Sequence, residues 1–156
     1  MALKLQIMLF LLFPLLGMAQ INSTELKTTT EYMVQSPYTF TQTIERLQEI
    51  LKSKGITVFA TIDHQAAAKA VGEKLAPATV LIVGNPKIGT ALMQENPRFA
   101  IELPLKILIY EEDKTVKIRY EKIAAMGEKY HIKQNFSTAE KIDAAMQQLI
   151  KLSISK

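Results

Sequence analysis

The sequence predicts an α+β domain: a mixed or antiparallel sheet with helices packed on one face. Three patterns predict it. Helical apolar spacing and strand-like alternation interleave along the chain, which layers helices and sheet over one core. Thr79 to Val83 is a continuous apolar run rich in β-branched residues, as a central strand covered on both faces requires. Two further strand-like runs are separated only by Glu112-Asp113-Lys114, so a hairpin is present and an all-parallel doubly wound sheet is disfavoured.

The elements follow in order. Met1-Ala2-Leu3-Lys4 is a short basic start, Leu5 to Gly17 is almost wholly apolar, and Gly17-Met18-Ala19 is a small-x-small site. This is the layout of a secretory signal peptide, with cleavage expected after Ala19. The run is shorter than the roughly 20 apolar residues a membrane span needs. An exported protein, periplasmic or secreted, is expected. Residues 20–30 are polar and Thr-rich, a flexible lead-in. Residues 31–156 are expected to form a single domain.

Glu31 to Ser36 alternates weakly and is closed by Pro37, which fits a first strand near an edge. Thr39-Phe40-Thr41-Gln42 matches the capping box, and Phe40, Ile44, Leu47 and Leu51 follow at helical spacing to a stop at Gly55. Ile56 to Ile62 alternates, with Ile56, Val58, Ala60 and Ile62 on one face, and predicts a half-buried strand. Asp63 caps a short Ala-rich helix that ends at Gly72. After the Thr79–Val83 strand, Gly84 to Thr90 is expected as a loop and Ala91 to Glu95 as a short helix ended by Asn96-Pro97. Leu105 to Glu111 and Thr115 to Tyr120 form the hairpin, with Lys117 and Arg119 on its wet face. A short helix is expected over Ile123 to Tyr130. Ser137-Thr138-Ala139-Glu140 is a second capping box before a last amphipathic helix carrying Ala139, Ile142, Met146, Leu149 and Ile150.

Composition excludes several functions. The 156 residues carry a formal charge of +4, or +3 once Lys4 leaves with the signal, and the charge is interspersed. Nucleic-acid binders show a basic stripe or block, and none is present, so no nucleic-acid partner is expected. The sequence has no cysteine, which excludes disulfides, thiolate chemistry and cysteine-held metals or clusters. No second apolar run approaches membrane-spanning length.

The residues able to carry chemistry are few. Gly84-Asn85-Pro86-Lys87-Ile88-Gly89-Thr90 follows a strand and precedes a helix, where glycines allow close approach and a helix N-terminus attracts anions. Its spacing is not that of a P-loop, and a rigid strand-to-helix turn, with Asn85-Pro86 setting the backbone, is the favoured reading. Asp63-His64 reads either as a ligand or proton carrier with its orienter, or as an N-cap followed by a surface residue. Met93 gains interest beside His64, because a His/Met pair can hold haem iron or copper. No Ser-His-Asp arrangement stands out and no close metal-ligand spacing occurs.

Ile62-Asp63-His64 with Ala66 to Ala68, Gly84-Asn85-Pro86-Lys87 with Gly89-Thr90 and Leu92-Met93, and Leu103-Pro104-Leu105-Lys106 with Tyr110-Glu111-Glu112 resemble, in this order, the family called domain of unknown function 302. Ser36-Pro37-Tyr38 and Thr43 to Leu47 resemble it too, and Ala91 departs from it where the family often has proline. The resemblance implies a β-α-β4-α order similar to the TATA-binding-protein-like fold, and frequent dimers. It carries no DNA binding and no established activity. Its matching positions are Asp63, His64, Gly84, Asn85, Pro86, Gly89, Thr90, Met93 and Lys106.

The expectation is therefore an exported, non-enzymatic, dimeric binding module. Its site would join the Asp63-His64 corner to the Gly84–Met93 segment, with Asp63, His64, Gly84, Asn85, Lys87, Gly89, Thr90, Met93 and Lys106 as the candidate ligand-binding residues. A haem or a soft metal ion, held by His64 and Met93, is a candidate ligand. One alternative is a structural or protein-interaction domain without a ligand. Another is a hydrolase-like enzyme in which Asp63 orients His64 as general base.

Overall fold

The computed structural model of the protein describes residues 29–156; the expected signal peptide and most of the lead-in lie outside the described residues. Strand β1 (Glu31–Gln35) precedes helix α1 (Phe40–Ser53) and strand β2 (Thr57–Asp63). Helix α2 (His64–Ala70), strand β3 (Ala78–Gly84) and helix α3 (Pro86–Glu95) follow, then a 3-10 helix at Pro97–Ile101. The hairpin β4 (Leu105–Glu112) and β5 (Thr115–Glu121) leads to α4 (Ile123–Lys129) and α5 (Phe136–Ser153). The sheet order is β1-β5-β4-β3-β2 and every pairing is antiparallel. The predicted α+β class is observed; the β-α-β4-α frame is interrupted, because α2 lies between β2 and β3, α3 and the 3-10 helix lie between β3 and β4, and α4 precedes the last helix.

Alternation places the core. Thr79, Leu81 and Val83 of β3, Leu105, Ile107 and Ile109 of β4, and Val116, Ile118 and Tyr120 of β5 are buried on one sheet face. Leu47 and Leu51 of α1, Ile123 and Met126 of α4, and Met146 and Ile150 of α5 meet them. Lys106, Lys117 and Arg119 alternate with these residues and face the other way, and Arg119 pairs with Glu31 across the β1–β5 ladder.

Several elements formed as their local chemistry dictates. Thr39 and Gln42 make the reciprocal capping box of α1. Gly55 and Gly72 follow α1 and α2 with φ of +70° and +82°, which glycine adopts without steric cost. Three expectations are corrected. The Gly84–Thr90 loop is mostly helix, because Asn85 serves as N-cap and Pro86 takes the first helical position, where its missing N–H costs nothing. The Ser137 capping box does not form: α5 already starts at Phe136, and the turn before it is held from elsewhere. In β2 the register shifts between Val58 and Ala60, so Val58 opposes Val83 but Ala60 opposes Ile82. One extra residue inverts the alternation. Val58 therefore lies on the helix-covered side and Ala60 and Ile62 on the other, while Thr61 turns to α1 and accepts a hydrogen bond from Gln48.

Candidate functional site

The bulge, the α3 N-terminus and the cis Leu103–Pro104 peptide meet at one end of the sheet and enclose a cavity of about 240 Å³. Its floor is Val83, Leu105, Ile123 and Met146, all buried. Its rim includes Phe59, which is 51% exposed, and Ile88, which is 41% exposed. Met93 of α3 and Ile142 of α5 complete the wall between them. The lining is almost wholly apolar.

Two glycines shape it by close approach. A Cβ on Gly84 would lie 3.3 Å from the Phe59 ring, and one on Gly89 would lie 3.0 Å from Leu103. Neither needs a left-handed backbone, so absence of a side chain is the property used. Asn85 joins the lining with its Oδ1 fixed, because that oxygen accepts from Lys87 N at 3.0 Å. The next two amides of α3, those of Ile88 and Gly89, bond the Asn85 carbonyl. The amides expected to cradle an anion are thus already engaged.

The structure divides the nine sequence-predicted residues. Gly84, Asn85, Gly89 and Met93 line the cavity, with Pro86. Lys87 and Thr90 lie on the exposed side of α3, where Thr90 Oγ1 donates to the Pro86 carbonyl. Lys106 follows Leu105 on β4 and so faces the opposite side of the sheet; its Nζ donates to the Glu102 carbonyl. Asp63 opposes Thr79 while Thr57 opposes Gly84, which puts the Asp63-His64 corner about 17 Å along the strand from the cavity. Asp63 caps α2 by accepting from Ala66 N at 2.9 Å, and His64 is exposed. Within one chain, then, His64 and Met93 are not brought together. No imidazole lines the cavity; the thioethers of Met93 and Met146 are its soft donors. Among the described residues, no group of three or more His, Asp or Glu side chains is placed to hold a metal ion.

Sequence reasoning missed Phe59, because only the bulge turns it to the cavity mouth. It also missed two structural carboxylates. Glu95 accepts from the amides of Lys133, Gln134 and Asn135 at 2.6–2.9 Å and from Asn135 Nδ2. These bonds, that from Lys133 first, hold its pKa at about 2. Buried Asp143 accepts from the amides of Ile123 and Ala124, both at 2.9 Å, and so caps α4 from α5. Burial pushes its pKa up, against the pull of those bonds. The signal for Asp143 was available: an acid stands four residues after Ala139 and three before Met146, on the apolar face of α5.

The family model "Domain of unknown function DUF302" matches residues 32–152. The chain belongs to the DUF302 family. A crystal structure of an uncharacterised conserved DUF302 protein from Bacillus stearothermophilus superposes with a TM-score of 0.75 at 25% identity, over 80% of this chain and 98% of that one. Two curated relatives, each described as a fluoride-specific ion channel and called FluC 1, come from Brucella suis and Brucella abortus. Each is 40% identical over 79 residues, covering 51% of this chain and 31% and 29% of theirs. The chain thus spans about a third of the length of these relatives. Among the described residues of this DUF302 chain, no helix is long and apolar enough to cross a membrane.

Proposed function

We propose that this DUF302 chain is an exported, non-enzymatic, dimeric binding module whose cavity takes a small apolar ligand. The observation that carries the proposal is the cavity: a built apolar floor, an open mouth and glycines that keep it unfilled. Its size sets the ligand class. An apolar cavity of about 150 Å³ accommodates benzene, so 240 Å³ suits roughly eight to ten heavy atoms. A haem is several times too large to be enclosed. Against the enzymatic alternative, the cavity holds no titratable side chain, and His64 stands at the far end of β2.

Fluoride does not carry over from the relatives' descriptions to this site. A small hard anion needs convergent donors or cations, whereas the lining is apolar and the first α3 amides are engaged. Export is supported by the sequence of residues 1–19. Self-association is supported by β2, an edge strand without a charge from Thr57 to Ile62, with Ile62 and nearby Val71 and Leu75 exposed. Edges are normally guarded by charge.

Calorimetric titration with ethylbenzene tests the binding. One site per chain is expected, and Gly84→Val should weaken it by tenfold or more by crowding the Phe59 side of the mouth. A wild-type protein that takes up neither ethylbenzene nor acetophenone, its ketone analogue, would refute the proposal.

A further inference from the structure

We infer that the cavity selects apolar molecules carrying one hydrogen-bond acceptor oxygen, and that Asn85 Nδ2 is the group that holds that oxygen. The inference rests on the cavity being the binding site and adds the chemistry of the ligand's head.

The argument starts from the orientation of the Asn85 amide. In many structures the two ends of such an amide cannot be told apart without a partner. Here the partner is a backbone N–H. Lys87 N can only donate, so the atom 3.0 Å from it is Oδ1. The Nδ2 end therefore points away from the helix terminus. It carries two donors, and among the described residues neither is taken up by another protein group; the end is open to solvent, and Asn85 is a half-buried residue of the cavity lining. No other side chain in the lining carries a hydrogen-bond donor; the remainder are aliphatic, aromatic, thioether or glycine. A free donor at the edge of an apolar chamber is the pattern of a ligand site: the apolar wall supplies affinity and the polar group fixes orientation.

The rest of the surroundings narrows the head group. Lys87, the nearest cation in sequence, does not line the cavity. The α3 amides that would support a carboxylate are satisfied within the helix. The head that fits is a neutral acceptor, a ketone or ester carbonyl. A purely hydrocarbon ligand that covered Nδ2 would strip it of solvent without supplying an acceptor, and that loss discriminates against it.

Asn85 is also the N-cap of α3, so the test must keep the cap. Asp is as good a cap as Asn, and Asn85→Asp retains an oxygen for Lys87 N while removing the donor. Acetophenone and ethylbenzene are matched probes, equal in carbon count and differing in the carbonyl. In the wild type, the carbonyl stretch of bound acetophenone should lie at lower wavenumber than in hexane. In Asn85→Asp that shift should vanish, and acetophenone affinity should fall about tenfold more than ethylbenzene affinity. An unshifted carbonyl in the wild type, or equal losses for both probes in the variant, would overturn the role of Asn85 and leave the cavity standing. Failure of both probes to bind the wild type would remove the cavity proposal and this inference with it. Should Asn85→Asp fold poorly, the wild-type infrared shift alone decides.

Discussion

At the scale of single residues, two carboxylates hold the C-terminal half together through backbone amides. Glu95 reaches from α3 to the turn before α5, and Asp143 reaches from α5 to the start of α4. Their titrations act with opposite sign. Glu95 has a folded pKa of about 2 against an ordinary 4.5, so its contribution is complete above pH 4.5 and is lost as pH falls toward 2. Asp143 is pushed up by burial, so its ionisation opposes folding as pH rises through its raised value. Glu95→Gln should therefore lower the urea midpoint at pH 7, with the gap to wild type closing as the pH approaches 2. A gap independent of pH would show that the charge of Glu95 is not what the amides use. Asp143→Ala should cost about 2 kcal/mol, because two amides at the α4 N-terminus lose their acceptor. Urea unfolding at pH 7 measures it.

At the scale of elements, the start of α3 and the bulge of β2 decide the cavity. Asn85→Ala should cost about 1 kcal/mol through loss of the cap, and Asn85→Asp much less; the difference in urea midpoints reads out the capping oxygen. Leu92 is fully buried and anchors α3, so Leu92→Ala should cost about 3 kcal/mol. Much of this level was legible in the sequence. The α1 capping box, the hairpin around Asp113 and the stops at Gly55 and Gly72 are local signals, and the structure follows them. The α3 start was misjudged because Asn-Pro signals both a turn and a helix N-terminus. The β2 faces were misassigned because a bulge depends on the partner strand and leaves alternation intact in the sequence. Gly84, Asn85, Gly89 and Met93, grouped in the sequence as one segment, all line the cavity. Phe59, Ile142 and Met146 join them only through tertiary packing, and His64 was grouped with them although an entire strand intervenes.

At the scale of the whole molecule, the fold carries an apolar cavity at one end of the sheet and, in β2, an edge strand without charge from Thr57 to Ile62, and the proposed binding and self-association rest on these separately. Ile62→Lys should shift sedimentation from dimer to monomer while leaving ethylbenzene binding intact, because Ile62 lies on the sheet face away from the cavity. The proposed export predicts that N-terminal sequencing of the mature protein finds Gln20 first. The central claim, that the cavity is a binding site, is tested most directly by NMR of protein labelled at the methionine methyls during titration with ethylbenzene. Met93 and Met146 line the cavity, whereas Met33 is 52% exposed on β1. The predicted result is saturable shifts of the Met93 and Met146 methyls with Met33 unmoved. Saturable binding that leaves both cavity methyls unchanged would contradict it.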